Sequence, residues 1–206
     1  MQKEELIYWA KRLYDKGLSP ATTGNISVKT ERGILISASG AAMGDLAPDD
    51  LVLIDFEGNS IEAAKGKKAS SEKFLHIDIY QEREDIDAII HSHCPYITAF
   101  AVAGVEISEP ILAEFVYHFD KIPLVPYACP SGFKLAEVTT KPFKQGYSTV
   151  LMGNHGVVTG ASTLQDCFYN LEALRAYCET YFGACVLGGP KKLSKKEVEE
   201  IRNLKG

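Results

Sequence analysis

Five histidines occur in the chain, and two of them form His91-Ser92-His93 directly after the apolar run Ala88-Ile89-Ile90. Such a run suits a buried strand, and strand side chains alternate, so residues two apart project to one face. His91 and His93 are therefore expected to present two parallel imidazoles at a strand end, as two ligands of one ion must. A third ring stands in Met152-Gly153-Asn154-His155-Gly156, where bracketing glycines let the backbone turn sharply and present it. Three neutral imidazoles with an open fourth position make the ligand set of a catalytic zinc ion. Singly, each signal has a plainer reading: H-x-H as satisfied polar residues at a strand terminus, His155 as a turn histidine. The combination carries the weight.

Glu72 follows Ser70-Ser71 at the start of an expected helix. Alone it reads as an N-terminal glutamate favoured by the helix dipole; beside a metal it is a candidate acid/base. His76 lies four residues on and shares its helical face, so a Glu/His metal pair is geometrically open, but His76 is read as structural. His118 lies in the aromatic stretch Phe115–Phe119 and has no ligand pattern around it. Three short segments could bind a phosphate through hydroxyls, backbone N–H groups or a helix N-terminus: Thr23-Gly24-Asn25, Ser39-Gly40 and Ser70-Ser71. Neither G-x-x-x-x-G-K-[ST] nor G-x-G-x-x-G after a strand occurs, so nucleotide folds are not indicated.

The elements that must position these residues follow from periodicity and turn signals. Helices are expected over 4–16, 72–83, 96–103, 133–143, 163–187 and 194–204. Strands are expected over 26–30, 33–37, 51–55, 87–93, 122–126, 149–152 and 157–158. Ser70 or Ser71 is suited to cap the second helix. Helices before, between and after the strands describe an α/β sandwich in one domain spanning 1–206, and the last helix looks like a docking element. The length of 206 residues, 46% of them hydrophobic, is enough for one sizeable core.

Composition excludes several classes. The net charge of −5 argues against a nucleic-acid binder, which needs a basic stripe. Lysines cluster at 65, 67 and 68, and again at 191, 192, 195 and 196, and both groups read as solvated surface. No apolar run approaches the ~20 residues that span a bilayer. The first residues lack a basic segment followed by an apolar one, so the chain is expected in the cytoplasm, with no membrane partner. Cys94, Cys129, Cys167, Cys178 and Cys185 are odd in number and hold no C-x-x-C pair, which points to reduced cysteines and not to disulfides or thiolate zinc.

Taken in order, Thr23-Gly24-Asn25-Ile26-Ser27, Ser37-Ala38-Ser39-Gly40, Ser70-Ser71-Glu72-x-x-x-His76, His91-x-His93, Ile122-Pro123-x-x-Pro126-Tyr127 and Asn154-His155-Gly156 resemble the class II aldolase/adducin-like family over most of the chain. The resemblance implies a three-layer α/β/α sandwich around a mainly antiparallel sheet, and a homotetramer with active sites at subunit interfaces. It implies one Zn2+ per subunit on His91, His93 and His155, with Glu72 as a displaceable fourth ligand and the proton donor and acceptor. It also implies that Thr23, Gly24, Asn25, Ser39, Gly40, Ser70 and Ser71 cradle a sugar phosphate. The reaction it implies is reversible cleavage of a ketose 1-phosphate, L-fuculose 1-phosphate foremost, to dihydroxyacetone phosphate and L-lactaldehyde. Zinc would act there as a Lewis acid holding the charge of an enediolate.

Two departures from the family pattern concern the aldehyde half of the substrate. Leu112 stands where a tyrosine is expected, with Glu114 and Tyr117 nearby, and Tyr181 is the last tyrosine of the chain. Glu114 is a candidate proton carrier in its place. A methylthioribulose-1-phosphate dehydratase on the same zinc site is the alternative reading. A pentulose-phosphate 4-epimerase is disfavoured, because its pattern has an aspartate at Glu72. A non-catalytic adducin-like interaction module is the reading from a different class.

Overall fold

The computed structural model describes residues 2–205. Its order is α1 (Gln2–Asp15), β1 (Asn25–Thr30), β2 (Gly33–Ser37), β3 (Leu51–Ile54), β4 (Ser60–Glu62), α2 (Lys73–Glu82), β5 (Ala88–Ser92), α3 (Pro95–Ala103), α4 (Ala113–His118), β6 (Leu124–Val125), α5 (Phe133–Lys144), β7 (Thr149–Met152), β8 (Gly156–Ala161), α6 (Leu164–Val186) and α7 (Lys195–Arg202). The strands form one sheet in the order β4-β3-β2-β1-β5-β8-β7-β6. Every neighbouring pair is antiparallel except β6 and β7, which run parallel.

Strand alternation explains the three layers. Ile26, Leu35, Leu51, Leu53, Ala88, Ile90, Leu151 and Val157 face one core, packed beneath α1, α3 and α6. Their neighbours Ile34, Ile36, Val52, Ile54, Ile89, Val150, Met152 and Val158 face a second core, covered by α2 and α5. Both sheet faces are thus buried, so the central strands read as continuous apolar runs. The periodicity at 4–16 is realised in α1, which buries Leu6, Trp9, Ala10 and Leu13. The longest helix, α6, buries seven residues from Leu164 to Cys178.

The edge strand β4 and the short helix α4 have no counterpart among the sequence expectations. All three residues of β4 are exposed, so no apolar pattern marks it. The hydroxyl of Ser70 does not cap α2. It accepts the N–H of Glu72 at 3.3 Å, and Glu72 itself occupies the N-cap position without a side-chain cap. The C-terminal α7 docks on its own chain, packing against α4. Lys192 pairs with Glu109 at 2.7 Å, and Arg202 pairs with Asp120. None of the helices in the described residues is long and apolar enough to cross a membrane.

Candidate active site

The site forms where β1 and β5 lie side by side. Their register sets Asn25 opposite His91, and Ile26, on the other face, opposite Ile90. Asn25, Ser27, Ile89 and His91 consequently share the face covered by α2, whose N-terminal end carries Glu72. His93 lies one residue beyond β5, and His155 comes from the tight turn joining β7 to β8. That turn closes with the N–H of His155 donating to the Met152 carbonyl at 3.1 Å, and Asn154 adopts a left-handed conformation at φ 54°. Glycine is needed at 156 because a Cβ there would stand 2.5 Å from the Ser92 carbonyl oxygen and 3.2–3.3 Å from the rings of His93 and His91. It is needed at 24 as well, where φ is 77° and a Cβ would meet the His91 carbonyl at 2.5 Å.

One nitrogen from each of His91, His93 and His155 lies within 4.8 Å of the other two. The Nδ1–H of His91 donates to the Val157 carbonyl at 3.0 Å, so a neutral His91 turns the lone pair of Nε2 into the cluster. That Nε2 lies 2.9 Å from His93 Nε2 and 3.2 Å from Glu72 Oε2, while His155 Nε2 lies 3.3 Å from Glu72 Oε1. Burial is the first cause that holds His93 down at about 3 and His155 at about 4, so both rings are neutral near pH 7. Burial alone would raise the Glu72 carboxyl. In acid, where the rings take up protons, the hydrogen bond and charge that His91 then offers, the charge of His155 and the Asn25 amide outweigh it and bring Glu72 down to about 2, so the carboxylate is ionised near pH 7 while the rings beside it are neutral. Neutral rings that can turn lone pairs toward one point, beside an ionised carboxylate, can share one cation. The donor set and its geometry therefore fit a divalent metal, and three imidazoles are a zinc set.

A second feature adjoins the first through the chain itself. A cavity of about 370 Å³ is lined by Ser39, Ser70, Ser71, Lys67, Lys68 and Lys73, among others. The Ser70 hydroxyl accepts from the Glu72 N–H, and the Ser71 hydroxyl accepts from Ser131 at 2.8 Å. Both serine protons are thereby left to donate outward. Gly40, at φ 76°, has open space where a Cβ would be. The other segment behaves differently. Thr23 spends its hydroxyl proton on the Pro20 carbonyl at 2.5 Å, and Asn25 has both ends of its amide engaged, by Glu72 and by His76.

Lys67 and Lys68, read from the sequence as plain surface, stand on this cavity. Lys67 pairs with Asp50 at 2.5 Å, and Lys73 donates to the Gly58 carbonyl at 2.6 Å. Their sequence proximity to Ser70-Ser71 was the available signal. Glu114 is exposed in the first turn of α4, a helix packed against α6 and α7. His118 ends that helix and is exposed as well. His76 is fully buried with both ring nitrogens hydrogen-bonded, which is a structural environment and not a ligand's.

Comparison with known proteins agrees in fold and in family. A 5-deoxy-D-ribulose 1-phosphate aldolase of Bacillus thuringiensis serovar kurstaki is 30% identical over 203 residues, covering 97% of this chain and 93% of that protein. An L-fuculose phosphate aldolase of Methanocaldococcus jannaschii is 35% identical over 174 residues, covering 84% of this chain and 92% of that one. The solved structure of an L-fuculose 1-phosphate aldolase superposes with a TM-score of 0.88 at 30% identity, covering 98% of this chain and 94% of that one. Residues 4–182 match the Class II Aldolase and Adducin N-terminal domain family, and the chain belongs to that family.

Proposed function

We propose that the protein is a zinc-dependent aldolase that cleaves a ketose 1-phosphate to dihydroxyacetone phosphate and a short aldehyde. The observation that carries this reading is the buried cluster of His91, His93 and His155, with the ionised Glu72 against it and the serine-lined cavity beginning two residues before that glutamate. Ser39, Gly40, Ser70 and Ser71 would hold the phosphate, with Lys68 adding charge. Thr23 and Gly24 would complete the cradle through their backbone. Breaking the C3–C4 bond sends the C4 hydroxyl proton to a base and leaves the electron pair on C3, from where it delocalises onto the C2 oxygen. Glu72 then delivers a proton to C3, and in the reverse direction removes it. Zinc on the three histidines would supply a Lewis acid against the developing charge.

L-fuculose 1-phosphate and 5-deoxyribulose 1-phosphate share the half of the substrate that these residues face. They differ only in the aldehyde released, L-lactaldehyde or acetaldehyde. Zinc-loaded protein is expected to release dihydroxyacetone phosphate from at least one of them, read by a coupled dehydrogenase. Loss of water from methylthioribulose 1-phosphate, with no dihydroxyacetone phosphate from either ketose, would establish the dehydratase reading instead. A purely adducin-like interaction module leaves the buried cation site without a purpose. A homotetramer with sites at subunit interfaces belongs to the same proposal. It is supported by the exposed aromatics Tyr127 and Phe133 on the segment that bonds Ser71 through Ser131, and light scattering tests it.

A further inference from the structure

We infer that His76, acting through Asn25, determines which oxygen of Glu72 is held and which is left to react, and is thus a positioning residue for proton transfer at C3. This rests on the reading of Glu72 as the acid/base.

The observation is an unbroken buried line of hydrogen bonds from α2 and β1 to the carboxylate. Tyr80 OH lies 2.8 Å from Ser27 Oγ, and Ser27 Oγ lies 2.7 Å from His76 Nδ1. His76 Nε2 contacts Asn25 Oδ1, and Asn25 Nδ2 donates to Glu72 Oε2 at 3.0 Å. One direction is forced on every member. An ionised carboxylate only accepts, so the Asn25 amide must turn its N–H₂ toward Glu72 and its carbonyl toward His76. That carbonyl also only accepts, so His76 carries its proton on Nε2. The bare Nδ1 then takes the Ser27 proton, and Ser27 takes that of Tyr80. Reversing the amide would set two acceptors face to face at the carboxylate, and moving the ring proton to Nδ1 would do the same at Nε2.

Ser27 and His76 are fully buried and Tyr80 is 3% exposed, so the line is closed to water. It can orient the carboxylate but cannot supply protons to it. Burial, which lowers the His76 pKa to about 3, keeps the ring neutral and the direction fixed. The consequence appears at Glu72. Both oxygens face the histidine cluster, Oε2 at 3.2 Å from His91 Nε2 and Oε1 at 3.3 Å from His155 Nε2, but Oε2 is anchored by Asn25 whereas the buried Oε1 has no hydrogen-bond partner. Oε1 is therefore the oxygen presented to the metal and to C3.

The test uses the full-length zinc-loaded protein, with dihydroxyacetone phosphate in heavy water as the probe and deuterium uptake at C3 as the rate. His76→Gln places an amide N–H₂ where Nε2–H stands, whereas His76→Asn cannot reach Asn25. His76→Asn is expected to lower the saturated exchange rate about tenfold to hundredfold, with zinc content and half-saturation little changed, and His76→Gln to recover most of it. Equal rates in the two folded, zinc-loaded variants would overturn the inference. Should either variant fail to fold, long-range imidazole ¹⁵N–¹H spectra of the wild type decide it. The Nε2–H tautomer of His76 is expected, and the Nδ1–H tautomer would refute it. A wild type that exchanges no dihydroxyacetone phosphate would defeat the aldolase reading instead, and the tautomer would still judge this one.

Discussion

Gly156→Ala introduces a single methyl group into the space where β8 passes the end of β5. The new Cβ would stand 2.5 Å from the Ser92 carbonyl oxygen, about 0.9 Å inside the 3.4 Å at which ordinary contact begins. A backbone carbonyl cannot rotate away as a side chain can, so β8 and the β5 end must part. The same methyl presses on the rings of His93 and His91 at 3.2 and 3.3 Å, so the strain falls on two of the three imidazoles. Overpacking of this kind costs about 1–3 kcal/mol. In a chain of this size that lowers Tm by roughly 2–12 °C. If half of the strain is expressed in the ligand geometry, zinc affinity falls by about two- to twelvefold, at 1.4 kcal/mol per factor of ten. Thermal unfolding of the metal-free variant reads the first quantity, and competition with a chromogenic chelator reads the second. A variant with unchanged Tm and unchanged zinc affinity would show that the strand ends are not packed as described.

Glu72→Gln is expected to retain one zinc per chain while losing about 10²–10⁴-fold in C3 proton exchange, the range for a general acid–base group; an unaffected rate would remove Glu72 from the chemistry. The metal-free protein should lose stability in acid. His76 has a folded pKa lowered to about 3 from 6.5, so the unfolded state binds the extra proton between these values. The stability it contributes is present above pH 6.5 and is lost as pH falls toward 3, at about 1.4 kcal/mol per pH unit, and denaturant midpoints measured from pH 7 to 4 check it. Cys94, Cys167 and Cys178 are buried with thiol pKa values pushed up by desolvation, whereas Cys129 and Cys185 are exposed. Brief alkylation of the native protein should spare Cys94, Cys167 and Cys178 by mass spectrometry, and unfolding should release all three.

Much of the fold was legible because its periodicities are strong. The strand at Thr149–Met152 and the apolar face of α1 follow directly from side-chain spacing. The exposed β4 has no pattern to read, and Ala113–His118 forms a short helix in a stretch whose aromatic content does not distinguish helix from strand. Within the site, alternation along β5 and the glycines around His155 pointed to the three rings that the fold gathers. What sequence could not convey is how each side chain spends its hydrogen bonds. Asn25 belongs to a polar turn by sequence, yet its amide is committed between Glu72 and His76 by a cross-sheet register that only folding creates. Ser27 had only its place in the family motif, and Tyr80 carried no signal, because a serine in a strand and a tyrosine in a helix are ordinary occupants of both.

In the proposed function, the three histidines hold a zinc ion beside Glu72 to move a proton on the phosphate-bearing half of the substrate. Deuterium exchange into C3 of dihydroxyacetone phosphate, with no aldehyde present, tests it without requiring the physiological sugar. Zinc-loaded wild type is expected to incorporate one deuterium at C3, and both the chelated protein and Glu72→Gln are expected to incorporate none on the same timescale. Stoichiometrically zinc-loaded wild type that leaves C3 unexchanged would contradict the account.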